Sequence, residues 1–110
     1  RFKKDLLKRY NNKCVISGNN CKDELEAAHI IPVSEHGSYN IDNGLLLSSN
    51  LHKTFDKYYW SINPKKSVIE IKEETNVGSI KKYQGYKIDI ELNYNILRNL
   101  ENHYNIFLKI

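Results

Sequence analysis

The segment "LLLSSNLHKTFDK", residues 45–57, joins three consecutive leucines to a short polar stretch. The leucines predict a buried strand, and the residues after them have helical spacing, with Leu51 and Phe55 directed to the core. On an adjacent side of that helix lie His52 and Asp56, four positions apart. Two interpretations of this pair are open: an incidental contact on a polar helix face, or two ligands of one metal ion.

Upstream of these leucines, the sequence predicts one helix and two strands. Residues 1–10 carry apolar side chains at helical spacing among lysines and arginines, which is typical of an amphipathic helix with a basic outer face. "CVIS", residues 14–17, is predicted to be a short strand, and "LEAAHIIPV", residues 25–33, a buried one. The Gly- and Asn-rich residues 34–44 predict a loop between that strand and the leucines.

Downstream, the sequence predicts a helix, a hairpin and a closing helix. The helix after the leucines is expected to cover about three turns, residues 49–59, with its first serine or asparagine as N-cap. Residues 60–71 predict a hairpin that turns at an Asn-Pro pair, and residues 86–92 alternate like a strand. Residues 94–109 have one apolar helical face and predict a closing amphipathic helix.

The composition is that of one globular domain. The 110 residues are 40% hydrophobic and 27% charged, which is ordinary for a folded chain and argues against disorder. Seventeen Lys and Arg against thirteen Asp and Glu give a net charge of +4, a mild bias toward polyanions such as nucleic acid. Cys14 and Cys21 are too few for a disulfide-stapled secreted scaffold.

The sequence shows no membrane or export signal. No apolar stretch approaches the roughly 18 residues of a membrane span, and the first residues do not resemble a signal peptide. We therefore expect a soluble, intracellular (cytoplasmic) protein without a membrane partner. Because the sequence contains no Met, we expect residues 1–110 to be a single domain cut from a larger protein.

Four polar residues stand at particular points of the central strand–loop–strand–helix order. His29 lies near the end of the first strand, Asn43 at the loop exit, and His52 and Asp56 on the helix. With the motifs "AAHIIP", "NGLLLS" and "LHKTFD", this arrangement resembles the HNH endonuclease family, in the subgroup that has Ala before its first His. The four positions agree with that family in type, order and spacing, and the resemblance runs over nearly the full length.

The resemblance implies a fold and an activity. The fold class is α+β, a ββα-metal core at about residues 14–62 with an added β-hairpin or sheet and flanking N- and C-terminal helices. The activity is that of a metal-dependent endonuclease, which hydrolyses phosphodiester bonds in DNA and leaves 5′-phosphate and 3′-hydroxyl ends. A restriction or phage-defence system, a mobile element or a virus would each suit such an enzyme, and the sequence does not choose among them.

Carried over by position, the resemblance also implies roles for the four residues. His29 would be the general base that deprotonates the attacking water, and His52 and Asp56 would hold one divalent metal ion. Mg²⁺ or Mn²⁺ is expected ahead of Ni²⁺ or Zn²⁺, because hard cations tolerate sites completed by water. Asn43 would shape the loop and orient His29 through a backbone carbonyl. The nearby helix N-terminus is expected to keep His52 neutral.

Ala28 departs from the family pattern, because many relatives have Asp, Glu or His there as a further metal ligand. Glu26, His36 and Asp42 are therefore candidates for additional metal or substrate contacts. Lys53 is a candidate contact to phosphate.

The zinc knuckles of many relatives are also missing. Only Cys14 keeps its place, while Ser17, Ser48 and Leu51 stand where the other ligands would be, so no structural zinc is expected. DNA is the expected partner through its phosphate backbone. Sequence specificity is expected to come from a homodimer or from a domain outside this chain.

Other interpretations of these residues stay open. Taken alone, His29 in an apolar strand is most often a satisfied core histidine, and Asn43 before a glycine is typical of a turn. The alternative function is a catalytically inactive HNH-like module that binds nucleic acid, which Ala28 favours. His29 favours the enzyme, since a binding module has no use for a base in a strand.

Overall fold

The computed structural model describes residues 1–73 and 78–110 of the chain. Its α-helices and strands follow in the order α1 (Phe2–Arg9), β1 (Leu25–His29), β2 (Gly44–Ser48), α2 (Ser49–Asp56), β3 (Trp60–Asn63), β4 (Val68–Ile71) and α3 (Tyr94–Lys109). β1 pairs with β2 and β3 pairs with β4, both antiparallel, so each hairpin is a separate two-stranded sheet. The predicted α+β fold, with a ββα core, an added hairpin and flanking helices, is confirmed.

The β1–β2 hairpin forms the centre of the fold. Every residue of β2 is buried, as the leucines predicted, because both α1 and α2 pack against the hairpin. β1 ends at His29, four residues before the predicted end of this strand. His29 pairs directly opposite Gly44. The next two backbone N–H groups, of Ile30 and Ile31, bond instead to the backbone and side-chain oxygens of Asn43, both at 2.9 Å. These two bonds take the place of further pairing between β1 and β2.

α2 is shorter than predicted and begins directly after β2. Its N-cap is Ser48, which precedes both predicted candidates, Ser49 and Asn50. It ends at Asp56 rather than at residue 59, because Tyr58 takes a left-handed conformation (φ 59°) and donates its N–H to the Phe55 carbonyl at 3.0 Å. The helix therefore presents only two turns to β1.

Two of the predicted strands are wrong. Residues 14–17 form a turn, because the glycine that follows donates its N–H back to the carbonyl of Cys14. Residues 86–92 contribute only an isolated antiparallel bridge between Val68 and Lys87. In that register the residues after Lys87 face the turn between β3 and β4, which offers no strand to continue the ladder.

α3 has the bounds that its periodicity predicted. The side-chain oxygen of its N-cap, Asn93, accepts the N–H of Ile96 at 2.9 Å. The buried residues of α3, which packs against β3, are Ile96, Leu100, His103 and Phe107. Within the described ranges, no helix is long and apolar enough to cross a membrane.

Candidate active site

The fold brings His29, His52 and Asp56 to the lining of one cavity of about 350 Å³. His29 is the last residue of β1, and the other two project from α2, which packs against that strand. The remaining lining residues are Ala27, Ile30, Pro32, Val33, Tyr58 and His103. Three residues that the sequence analysis selected therefore meet, although 27 positions separate the first from the last.

The His52 ring lies between two carboxylates. Its Nδ1 atom is 2.8 Å from Oε1 of Glu26, and its Nε2 atom is 3.1 Å from Oδ2 of Asp56. The second oxygen of Glu26 accepts a hydrogen bond from the hydroxyl of Ser49 at 2.9 Å, which fixes that carboxylate. Glu26, one of the candidates for an additional contact, thus reaches His52 from β1.

These carboxylates also affect the pKa of His52. Its hydrogen bonds to Asp56 and Glu26 raise the pKa of the imidazole above its ordinary value, against the opposing effect of burial. The same contact with His52 lowers the pKa of Glu26. In the metal-free protein these two carboxylates favour the charged imidazole, so they act against the neutral form that the helix N-terminus was expected to favour.

The donor set at His52 and Asp56 fits a divalent cation. Glu26 accepts the Nδ1 proton, the arrangement that leaves Nε2 as the ligand atom in most metal-binding histidines. Neighbouring ligands of an octahedral ion with bonds of 2.0–2.1 Å lie about 3 Å apart, close to the 3.1 Å between Nε2 and the Asp56 oxygen. In residues 1–73 and 78–110 no group of three His, Cys, Asp or Glu is placed to hold a metal. Such a site would therefore have two protein ligands, with water or phosphate completing the shell.

The His29 ring is held differently. It stacks on Phe2, with ring centroids 4.3 Å apart, and meets the ring of Tyr39 edge-on at 4.8 Å. Its Nε2 atom is buried and has no hydrogen-bond partner among residues 1–73 and 78–110. Burial lowers the pKa of His29 below its ordinary value, so the ring is neutral at pH 7 and able to accept a proton.

Asn43 holds the chain segment that follows His29. Its side chain is buried, accepts the N–H of Ile31 at 2.9 Å and donates to the carbonyls of Ile31 and Ser38, both at 3.0 Å. The Asn43 carbonyl accepts the N–H of Ile30 at 2.9 Å. Asn43 makes these contacts with backbone on the far side of His29 and does not bond to the imidazole itself.

The other candidate residues lie outside the cavity lining. The carboxylate of Asp42 accepts hydrogen bonds from Arg9 at 2.8 Å and from Asn93 at 3.1 Å, and the Arg9 bond lowers its pKa. His36 is exposed in the loop between β1 and β2, and Lys53 is exposed on α2 beside His52. Of the four additional candidates, the structure brings only Glu26 into contact with the central residues.

Sequence reasoning missed the aromatic residues around the site. Phe2 and Tyr39 contact His29. Tyr58, just after α2, and His103 on α3 line the cavity. One signal was present in the sequence: Gly44 follows Asn43 and leaves room opposite His29. Which ring fills that room depends on how α1 docks, and local patterns do not show this.

A comparison with known families found a match to the central part of the chain. Residues 14–63 match a family model described as HNH endonuclease. The matched segment contains β1, β2, α2 and β3. It therefore includes the three predicted site residues that line the cavity, His29, His52 and Asp56. α1, β4 and α3 lie outside the match. No curated protein matches the chain.

Proposed function

We propose that this chain, whose residues 14–63 belong to the HNH endonuclease family, is a metal-dependent endonuclease that hydrolyses phosphodiester bonds in DNA. HNH nucleases generally use a divalent metal and act on DNA. The observation that carries the proposal is the shared cavity, which joins a neutral histidine to a histidine–aspartate pair suited to a cation. A base and a metal site within one cavity are the two parts that this reaction needs.

His29 is the general base in this proposal. Its neutral ring accepts a proton from the attacking water, and a histidine does this near neutral pH. Because Nε2 is buried, we expect Nδ1 to carry the free lone pair toward the cavity. Asn43 contributes indirectly, since its three side-chain bonds hold the backbone that follows the base.

His52 and Asp56 hold the cation, with Mg²⁺ or Mn²⁺ expected ahead of Ni²⁺ or Zn²⁺. A bound divalent ion stabilises negative charge on the phosphate and on the departing 3′ oxygen. Glu26 keeps the His52 ring in the orientation that directs Nε2 to Asp56. Lys53, exposed on the same helix, is placed to attract the DNA backbone.

Basic residues of α1 are further candidates for contact with the DNA backbone. Phe2 contacts His29, so the first turn of α1 lies beside the base. Lys3 and Lys4 follow directly in the sequence and are exposed. We expect them to contact phosphates, which carry no sequence information, so base specificity would come from a homodimer or from a domain outside this chain.

The alternative is an inactive HNH-like module that binds nucleic acid. Ala28 favours it, because this residue is fully buried and offers no ligand. Glu26 argues against the inactive module. It lies two positions before Ala28, on the same face of the strand, and its carboxylate contacts His52. Metal dependence and the role of His29 decide between the two functions.

The test is cleavage of supercoiled plasmid by the chain in the presence of Mg²⁺, Mn²⁺, Ni²⁺, Zn²⁺ or EDTA. His29→Ala is compared with His36→Ala, an exposed loop histidine away from the cavity lining. We expect metal-dependent nicking that is lost in His29→Ala and kept in His36→Ala. Absence of cleavage with every metal, in a folded chain that binds DNA, would establish the inactive module instead.

A further inference from the structure

His29 contacts two aromatic rings, those of Phe2 and Tyr39, which are here called the aromatic clamp. The Phe2 ring is stacked on the imidazole with 19° between the planes, and the Tyr39 ring meets it at 87°. The two clamp rings also contact each other edge-on, with centroids 5.7 Å apart. Each ring therefore restrains the imidazole and the other ring of the clamp.

The backbone opposite His29 is shaped for the Phe2 ring. Gly44 pairs with His29 across the β1–β2 hairpin. A Cβ atom at this position would lie 2.7 Å from Cζ of Phe2 and 2.7 Å from Cδ1 of Leu6, too close for either side chain to stay in place. The glycine thus permits the close approach of α1 that sets Phe2 on the imidazole.

In the part of the chain that the structure describes, no hydrogen bond to Nε2 sets the orientation of the His29 ring. The orientation of a catalytic histidine is usually set by a hydrogen bond that its second ring nitrogen makes to a carboxylate or carbonyl. The Nε2 atom of His29 is buried and lacks such a partner among the described residues. Contacts with the two rings are what remains to fix the plane of the imidazole.

We infer that Phe2 and Tyr39 are positioning residues for the base His29, and that α1 completes the active site although it lies outside the family match. This inference rests on the proposed function. It assigns a role to two residues that do not touch the reacting atoms and act through the orientation of the imidazole. A misplacement of about 1 Å can lower a rate by about a hundredfold.

The first test is the kinetics of Phe2→Leu, which keeps an apolar side chain but removes the ring. We expect kcat to fall about 10- to 100-fold with KM unchanged, because DNA binding is not altered while the base is misplaced. Leu7→Ala is the matched control, since Leu7 packs against the core from the same helix and takes no part in the ring contacts. It should lower the melting temperature without lowering kcat.

The second test uses Tyr39, which is 65% exposed, so its variants do not threaten the fold. Tyr39→Leu should lower kcat, and Tyr39→Phe should restore it because the ring is retained. Proton NMR supplies a readout independent of cleavage: the ring-current shift of the His29 protons should collapse in Phe2→Leu and persist in Leu7→Ala.

The outcomes separate this inference from the proposed function. If the unaltered chain cuts DNA and loses activity in His29→Ala, but Phe2→Leu and Tyr39→Leu keep full kcat, the clamp has no positioning role. A rise in KM alone for Tyr39→Leu would make Tyr39 a substrate contact and also overturn the inference. If the unaltered chain does not cut at all, the proposed function fails and this inference fails with it.

Discussion

His29 and His103 both pack against aromatic rings and line the same cavity, yet their ring nitrogens differ in hydrogen bonding. His103 lies between Phe55, with centroids 3.7 Å apart, and Tyr58 at 4.4 Å. Its Nε2 lies 3.0 Å from the Phe55 carbonyl, to which it must donate, so Nδ1 accepts the hydroxyl of Ser61 at 2.7 Å. The Nε2 atom of His29, in contrast, forms no hydrogen bond with any residue that the structure describes.

The difference distinguishes a histidine that stabilises the fold from one that is available to react with a substrate. A ring whose two nitrogens are both bonded has no lone pair or proton left for a substrate, and it joins the elements that bond to it. His103 joins α3 to the end of α2 and to β3 in this way. His29 has the opposite character, since we expect its Nδ1 to keep a free lone pair toward the cavity and its ring to be oriented by ring contacts.

Removal of the base should give the largest effect. His29→Ala should lower kcat by about 10²- to 10⁴-fold, the usual range for a general base. Its melting temperature should fall only slightly, through the lost ring contacts with Phe2 and Tyr39, because the ring has no hydrogen bond within the described residues to lose. Single-turnover cleavage and thermal unfolding measured on the same preparation check both parts, and a large loss of stability would show that His29 resembles His103.

His103→Leu should show the opposite pattern. The substitution leaves the buried hydroxyl of Ser61 without its partner and removes one of two hydrogen bonds to the Phe55 carbonyl, which keeps the N–H of Tyr58, at a cost of about 2 kcal/mol in the free energy of unfolding. Urea unfolding measures this cost. Below the lowered melting temperature kcat should be retained, and its loss in a fully folded variant would place His103 among the catalytic residues.

Acid should weaken the fold through His103. Burial lowers the pKa of this imidazole from 6.5 to about 4, so the unfolded chain binds the proton more tightly than the folded one. The contribution to stability is complete above pH 6.5 and is lost as the pH falls toward 4, with about 2 kcal/mol lost by pH 5. Urea unfolding at pH 8 and pH 5 measures it, and His103→Leu should lack this component of the pH dependence.

Glu26→Gln should have the smallest effect. Glutamine still accepts the Nδ1 proton of His52, so the ring keeps its orientation and loses only the negative charge beside it. We expect Mn²⁺ affinity to fall about tenfold, the lower end of the range for such supporting residues. Calorimetric titration with Mn²⁺ checks this, and an unchanged affinity would mean that Glu26 does not assist metal binding.

The sequence predicted features that depend on local patterns. The leucines of β2 and the periodicity of α3 appeared in the structure as predicted, and the His52–Asp56 pair follows from helical spacing alone. The strands predicted at residues 14–17 and 86–92 failed, because a strand needs a partner in register and local alternation does not supply one.

Contacts distant in sequence explain what was missed at the site. Glu26 reaches His52 through the β1–α2 packing, and Phe2 reaches His29 through the docking of α1 over Gly44. Neither contact has a spacing rule that a single sequence displays.

The most direct test of the proposed site is Mn²⁺ titration of the ¹⁵N-labelled chain, following the ring signals of its four histidines by NMR. Paramagnetic broadening falls steeply with distance from the ion. We predict that substoichiometric Mn²⁺ broadens His52 first and His29 next while exposed His36 stays sharp, and that Asp56→Ala abolishes this order. Uniform broadening, or the same order in Asp56→Ala, would contradict a metal site at His52 and Asp56.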